Sequence, residues 1–160
     1  MRRTVGDILE IALPNGFAYA QVSESPLIVF FDRLHDSSQK LKDIDTKSVA
    51  FKVCVHNADV KSGRWKRLGN IPISDQTGAM PRMFKQDKIT GRLALYHADF
   101  ASTGYERPAR LSECEGLECA AVWDAPHVED RLIDHFNGLE NRWVKSLEID
   151  VARVPSDQLD

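Results

Sequence analysis

The chain has 160 residues, of which 42% are hydrophobic and 28% are charged, and this composition predicts one globular domain over residues 1–160. Its net charge of −3 gives no overall positive field that would attract nucleic acid or an anionic membrane. The longest apolar run, residues 27–31, is too short to span a bilayer, and Asp7 and Glu10 interrupt any signal-peptide core. Three irregularly spaced cysteines favour reduced thiols, so we expect a cytoplasmic protein.

The first predicted element is a β-hairpin over residues 8–22. Side chains alternate in character on both sides of Pro14-Asn15-Gly16, and a period of two is typical of strands. Gly16 can adopt the left-handed conformation that closes a three-residue hairpin loop, so we predict a structural role for it. The hairpin carries no candidate catalytic residue.

The next segments predict further strands. Residues 27–31 form an uninterrupted apolar run, which is typical of a strand buried on both faces. The polar residues 35–48 predict a surface loop with one helical turn around Leu41. Alternation returns in residues 48–56 and predicts another strand, and Trp65 then leads into a short strand.

The second half of the chain begins with another predicted hairpin, over residues 83–97, with Gly91 in its loop. Residues 103–116 read as a connector. Residues 117–123 predict a short, mostly buried strand that ends at Trp123, for which we predict a structural role.

A helical period begins only after Asp124. The apolar stripe consists of Val128, Leu132, Phe136 and Leu139. Asp124 is a candidate N-cap, and Gly138 suits a left-handed stop. Residues 146–151 alternate again and predict a last strand. Many short strands and one late helix predict an α+β fold, a mostly antiparallel curled sheet of short strands with one C-terminal helix packed on it.

Few residues of the chain stand in a spacing or motif typical of catalysis or metal binding. The close pairs of metal-ligand residue types are Cys54 with His56, His97 with Asp99, and Cys114 with Cys119. No second pair follows at a regular distance, so we predict neither a metal site nor a cofactor. The sequence has no nucleophile elbow, no P-loop and no dinucleotide-binding fingerprint, and we therefore predict that the protein is not an enzyme.

Trp65 allows two interpretations. Lys61, Arg64, Lys66 and Arg67 surround it, which is compatible with a small β-barrel that binds nucleic acid by stacking a base on the indole ring. The strand period, however, places Arg67 on the face of Trp65 and the other strand cations opposite. A tryptophan at the start of a strand is more often a core anchor whose ring N–H finds a backbone partner. The sequence favours this structural role.

The predicted helix concentrates acidic residues, opposed in its sequence only by Arg131. They are Asp124, Glu129, Asp130, Asp134 and Glu140. One interpretation is a solvated face whose first acids are favoured by the helix dipole. The other is an acidic surface for a basic partner, which the period supports by directing Asp130 and Asp134 away from the apolar stripe.

The order of these motifs resembles the Immunity protein 26 family of bacterial polymorphic-toxin systems. The resemblance runs from Gly6 to Phe136 through GDILEIALPNGFAYAQV, PLIVFFD, SGRWKRLGNIPI, FKQD and AAVWDAPHVEDRLIDHF. It implies a small cytoplasmic protein that binds and neutralises a cognate toxin without catalysis. We expect the acidic residues of the helix to bind the toxin, together with the loop around Asp36 to Asp45. The oligomeric state stays open.

Overall fold

A computed structural model describes residues 2–24 and 26–160, and its first two strands form the predicted hairpin. Strand β1 (Asp7–Leu13) pairs antiparallel with β2 (Gly16–Val22). Leu13 pairs with Gly16, so the loop has two residues rather than the predicted three. Gly16 has a φ of +147°, and a Cβ atom there would lie 2.5 Å from the carbonyl oxygen of His35. Backbone conformation and close packing both require glycine.

The remaining elements follow in chain order. The strands are β3 (Leu27–Phe31), β4 (Val49–Val55), β5 (Lys66–Asn70), β6 (Met83–Gln86), β7 (Leu93–Tyr96), β8 (Glu106–Pro108), β9 (Glu118–Cys119) and β10 (Val122–Trp123). The α-helices are α1 (Asn57–Lys61), α2 (Asp75–Gly78), α3 (Leu111–Cys114), α4 (Ala125–Phe136) and α5 (Arg142–Ser146). Short 3₁₀ turns cover Leu41–Asp43, Ala98–Thr103, Val151–Arg153 and Ser156–Gln158. The first of these is the helical turn predicted around Leu41. Among the residues described, no helix is both long enough and apolar enough to span a membrane.

The strands form two open sheets in two units of the chain. The first unit comprises Met1–Ala79 and Val122–Lys145, and the second comprises Met80–Ala121 and Ser146–Asp160. The first unit contains a six-stranded sheet in the order β10-β4-β3-β2-β1-β5, and the second a four-stranded sheet in the order β8-β7-β6-β9. Only two short pairings, β10 with β4 and β6 with β9, are parallel among the described strands. The α+β class and the mostly antiparallel pairing are confirmed, but the strands divide between two sheets.

The core of the first unit lies around the central strands of its sheet. All five residues of β3 are buried, as the apolar run predicts. Helix α4 packs against β1 and buries Ala125, Val128 and Leu132. The helix ends at Phe136, because Gly138 has a φ of +66° as predicted; Leu139, assigned to the apolar stripe, is 62% exposed.

The second unit has its own core, formed by Phe84, Leu93, Leu95, Ala109, Cys114 and Val154. The polar C-terminal segment contributes to it through Gln158, which is 4% exposed. The Gln158 amide nitrogen donates to the carbonyls of Leu93 and Ala109 at 2.8 and 2.7 Å, and its oxygen accepts from the Leu93 N–H at 2.9 Å. Both polar atoms of the buried amide are therefore hydrogen-bonded.

Two predicted strands do not form as expected. Residues 117–123 divide into β9 and β10, which pair in different sheets. Residues 146–151 are not a strand: Gln86 accepts a hydrogen bond from the N–H of Asp150 at 2.8 Å and donates one to its carbonyl at 3.0 Å. The Gln86 side chain thus makes the hydrogen bonds with the Asp150 backbone that a neighbouring strand would otherwise make. The predicted connector 103–116 contains β8 and α3.

Candidate partner-binding surface

The N-terminus of α4 is capped by a residue distant in sequence. Asp124 occupies the N-cap position with an extended backbone, but its side chain makes no capping hydrogen bond. Instead, the Asp59 carboxylate accepts the N–H of Ala125 at 2.9 Å. This hydrogen bond satisfies one of the backbone N–H groups that have no partner within the helix at its first turn. The Asp124 carboxylate is therefore not needed as a cap and remains exposed to solvent.

Helix α5 contacts α4 through side chains, and the sequence pattern did not indicate this helix. The Asn141 side-chain oxygen accepts two backbone N–H groups of the first turn of α5, both at 3.1 Å, and its nitrogen donates to Asp134 at 2.8 Å. The Trp143 ring stacks on His127 with centroids 3.6 Å apart, and its Nε1 donates to Asp130 at 3.0 Å. An asparagine at the N-cap is the sequence feature that could have revealed this helix.

Three of the predicted acidic residues surround one surface depression. Asp130, Asp134 and Glu140 line a space of about 210 Å³ together with Ile133, Asn141 and Arg142. We call this space the acidic depression. The side chain of Glu140 is 89% exposed, and the Lys145 ammonium lies 3.6 Å from its carboxylate. Two of its three carboxylates, those of Asp130 and Asp134, are held in place by hydrogen bonds from Trp143 and Asn141.

Glu129 lies outside the depression and is neutralised. Its carboxylate accepts two hydrogen bonds from the Arg64 guanidinium, at 2.7 and 2.8 Å, and one from Trp65 Nε1 at 2.9 Å. Its side chain is only 19% exposed. Arg64, which lies outside the helix sequence, therefore opposes one of these acids in addition to the Arg131 noted within that sequence. A bidentate pair of this kind orients both side chains and leaves little net charge for a partner.

Asp124 also lies outside the depression but remains open to solvent. Its side chain is 57% exposed, with His56 Nε2 at 3.6 Å and His127 Nδ1 at 3.7 Å. Of the five predicted acids, the structure thus groups three, leaves one beside two histidines and pairs one with arginine.

Trp65 is buried in the core of the first unit, where 1% of it is exposed. Its ring meets Phe30 edge-on with centroids 5.8 Å apart. The prediction that Nε1 donates to a backbone group is wrong, because it donates to the Glu129 carboxylate. A buried indole gives no face on which a nucleic-acid base could stack.

Three of the four cations around Trp65 are paired with carboxylates. Arg67 lies 2.9 Å from Asp7, and the Lys66 ammonium lies 3.8 Å from Glu10. With Arg64 bound to Glu129, these charges stabilise the fold rather than form an open basic patch. The geometry does not support the nucleic-acid-binding alternative.

Trp123 is 4% exposed at the end of β10. The Arg131 guanidinium lies 5.1 Å from its ring centre and 3.9 Å from that of Phe51. These are cation–π contacts, in which the arginine covers two aromatic rings on the side of α4.

The cysteines of the described chain are free thiols. Burial raises the pKa of Cys54, Cys114 and Cys119, which favours the neutral form over a nucleophilic thiolate. Within residues 2–24 and 26–160, no group of three histidine, cysteine, aspartate or glutamate side chains could hold a metal ion.

Comparison with known families decides the classification. The family model described as Immunity protein 26 matches residues 4–94, more than half of the chain. The chain belongs to the Immunity protein 26 family. No curated protein and no solved structure matches it. The matched residues run from β1 into β7 and include Trp65, whereas α4, α5 and the acidic depression lie beyond them.

Proposed function

We propose that this protein binds a cognate toxin domain and neutralises it by association, without catalysing a reaction. Membership of the Immunity protein 26 family carries the proposal, because it implies an immunity protein. The neutral thiols and the absence of a metal-ligand cluster among the described residues are compatible with a binding protein.

The acidic depression is the proposed centre of the toxin interface. A toxin that acts on nucleic acid carries positive charge to attract its polyanionic substrate, and an acidic surface is complementary to it. Asp130, Asp134 and Glu140 supply this charge, and Asp124 extends it toward the start of α4. We assign Glu129 a positioning role through Arg64 and Trp65.

The loop around Asp36 to Asp45 is the second proposed contact. It contains three aspartates but also Lys40 and Lys42, so it adds little net negative charge. Its contribution would be shape and hydrogen bonding more than electrostatic attraction.

Co-expression tests the function directly. The toxin domain encoded next to this protein should stop growth when expressed alone, and co-expression of this chain should restore growth. The two purified proteins should elute together in size-exclusion chromatography. A toxin that stays active and unbound at equimolar immunity protein would contradict the proposal.

A charge-neutralising triple variant tests the interface. Asp130→Asn, Asp134→Asn and Glu140→Gln remove three charges, and the asparagines keep oxygen acceptors for Trp143 and Asn141. Because electrostatic steering governs encounter, we expect association with the toxin to slow roughly tenfold at low salt. Stopped-flow tryptophan fluorescence measures this rate.

The matched control removes three charges elsewhere. Glu24→Gln, Asp75→Asn and Glu115→Gln alter exposed acids outside the depression and give the same net charge. Equal association rates for the two triple variants would show that overall charge, rather than this depression, steers the toxin.

A further inference from the structure

The loop between β6 and β7 exposes an isoleucine to solvent. Ile89 is 90% exposed, more than any other large apolar side chain among the described residues. A single exposed apolar residue is common on protein surfaces and needs no explanation by itself. What distinguishes Ile89 is the backbone that carries it, because hydrogen bonds from within the loop and from the C-terminal segment fix that backbone.

Asp87 fixes the loop from within. Its carboxylate accepts the N–H groups of Ile89 and Thr90 at 2.9 and 2.6 Å and the Thr90 hydroxyl at 2.9 Å. Its own N–H donates to the carbonyl of Arg92 at 2.8 Å, and its carbonyl accepts the N–H of Gly91 at 2.9 Å. The hydrogen bonds to the carboxylate, first that from the Thr90 N–H, lower the pKa of Asp87, so this group is charged at neutral pH.

The C-terminal segment fixes the same loop from outside. The Arg153 guanidinium donates to the carbonyls of Lys88 and Ile89. Gly91 has a φ of +72°, and a Cβ atom there would overlap the carbonyl oxygen of Arg153, so the segment packs directly on the loop. A side chain on a backbone that is already fixed loses little conformational entropy when it binds, which suits it to anchor an interface.

A pocket of about 740 Å³ lies beside this loop in the second unit. Lys88 and Thr90, the two neighbours of Ile89, line the pocket, whereas Ile89 does not. Part of the lining is apolar and includes Ala94, Pro108, Ala120 and Leu147. One patch of the surface therefore carries both an exposed apolar side chain and a cavity with an apolar wall.

The patch also carries opposite charges next to Ile89. Lys88 makes no ion pair with a carboxylate in the described part of the chain and is exposed. The hydrogen bonds that Asp87 accepts from the loop all end on Oδ1, so Oδ2 can accept from the cation of another molecule. A partner that presents a cation and an anion at neighbouring positions would be complementary to this pair of charges.

We propose that this patch is a two-fold interface between two copies of the chain, in which Ile89 of each copy enters the pocket of the other and Lys88 pairs with the other copy's Asp87. A two-fold interface uses the same patch of both subunits, so that patch must contain both the inserted group and the pocket that receives it. The patch shares no residue with the acidic depression. Self-association and toxin binding can therefore fail independently of each other.

Sedimentation equilibrium of the full chain from about 1 µM to about 1 mM tests the proposal across the dissociation constants expected for a small interface. We expect the weight-average mass to rise from that of one chain toward that of two. Ile89→Asp should weaken the dimer roughly 100-fold, because the substitution occurs twice and places a carboxylate against an apolar wall. Lys88→Glu should weaken it roughly tenfold, because it opposes the charge of Asp87.

Leu139→Asp is the matched control, because it makes the same change of charge at a 62% exposed leucine of the first unit. This variant should dimerise like the wild type. Ile89→Asp alters an exposed side chain and keeps the backbone N–H that binds Asp87, so we expect it to fold. A wild-type chain that stays monomeric at every concentration would overturn the proposal. A dimer that Ile89→Asp leaves intact, or that Leu139→Asp weakens equally, would overturn it as well.

Discussion

Asp7 carries a buried carboxylate at the start of β1 and is 1% exposed. Burial alone would raise its pKa, but hydrogen bonds from Arg67 at 2.9 Å and Asn70 at 3.0 Å, with the charge of Arg67, outweigh it and hold the pKa below its ordinary value. The carboxylate fixes β5 beside β1 through two side chains of the neighbouring strand.

This lowered pKa predicts a specific dependence of stability on pH. A carboxyl whose pKa is lower in the folded state stabilises the protein above its unfolded pKa of about 3.9, and that contribution disappears as pH falls through the folded value. Asp7→Asn should cost roughly 1–3 kcal/mol at pH 7 and reduce the loss of stability below about pH 4. Urea unfolding between pH 7 and pH 2.5 measures both effects.

The control for this experiment is Asp36→Asn, which alters an exposed aspartate of the same unit. Its unfolding free energy should follow that of the wild type across the pH range. If Asp7→Asn retains the full acid sensitivity of the wild type, the pair with Arg67 does not contribute to acid unfolding.

At the scale of elements, the sequence pattern predicted correctly those strands, turns and helix ends that depend on residues close together in the chain. Both hairpins, the buried β3 and the end of α4 before Gly138 follow from side-chain period and turn glycines. The division of residues 117–123 was not predictable, because β9 and β10 pair with β6 and β4, which are distant in the chain. The helical period placed Asp130 and Asp134 together, but the pairing of Glu129 with Arg64 depends on tertiary contacts.

The attachment of α5 to α4 depends on one asparagine. Asn141 is 8% exposed and connects the first turn of α5 to Asp134. Asn141→Ala removes an N-cap, which should cost roughly 0.5–2 kcal/mol and release the helix from α4. Faster amide hydrogen exchange at Trp143 and Val144 would report this release.

Asn137→Ala is the matched control, because Asn137 ends the neighbouring helix and its side chain donates to the carbonyl of Ile133 at 2.9 Å. Exchange at Trp143 should be unchanged in this variant. Wild-type exchange in Asn141→Ala would mean that the stack on His127, rather than the cap, holds α5.

At the scale of the whole molecule, neither unit is one continuous piece of chain. The first unit takes β10 and α4 from residues 122–145, and the second takes its C-terminal turns from residues 146–160. Domain boundaries usually fall where a single linker separates two continuous segments. Because the chain passes between the units three times, after Ala79, Ala121 and Lys145, we propose that it folds as one domain.

One domain predicts one unfolding transition, and the chain contains separate reporters for the two units. Trp65, Trp123 and Trp143 all belong to the first unit, whereas Cys114 is buried in the second. Tryptophan fluorescence and peptide-resolved labelling of Cys114 across a urea series should therefore give coincident midpoints. Labelling of Cys54, in the first unit, is the internal control. Its unfolding midpoint should equal that of the tryptophan fluorescence whether the chain forms one domain or two. A midpoint for Cys114 that differs from both would establish two domains that unfold independently.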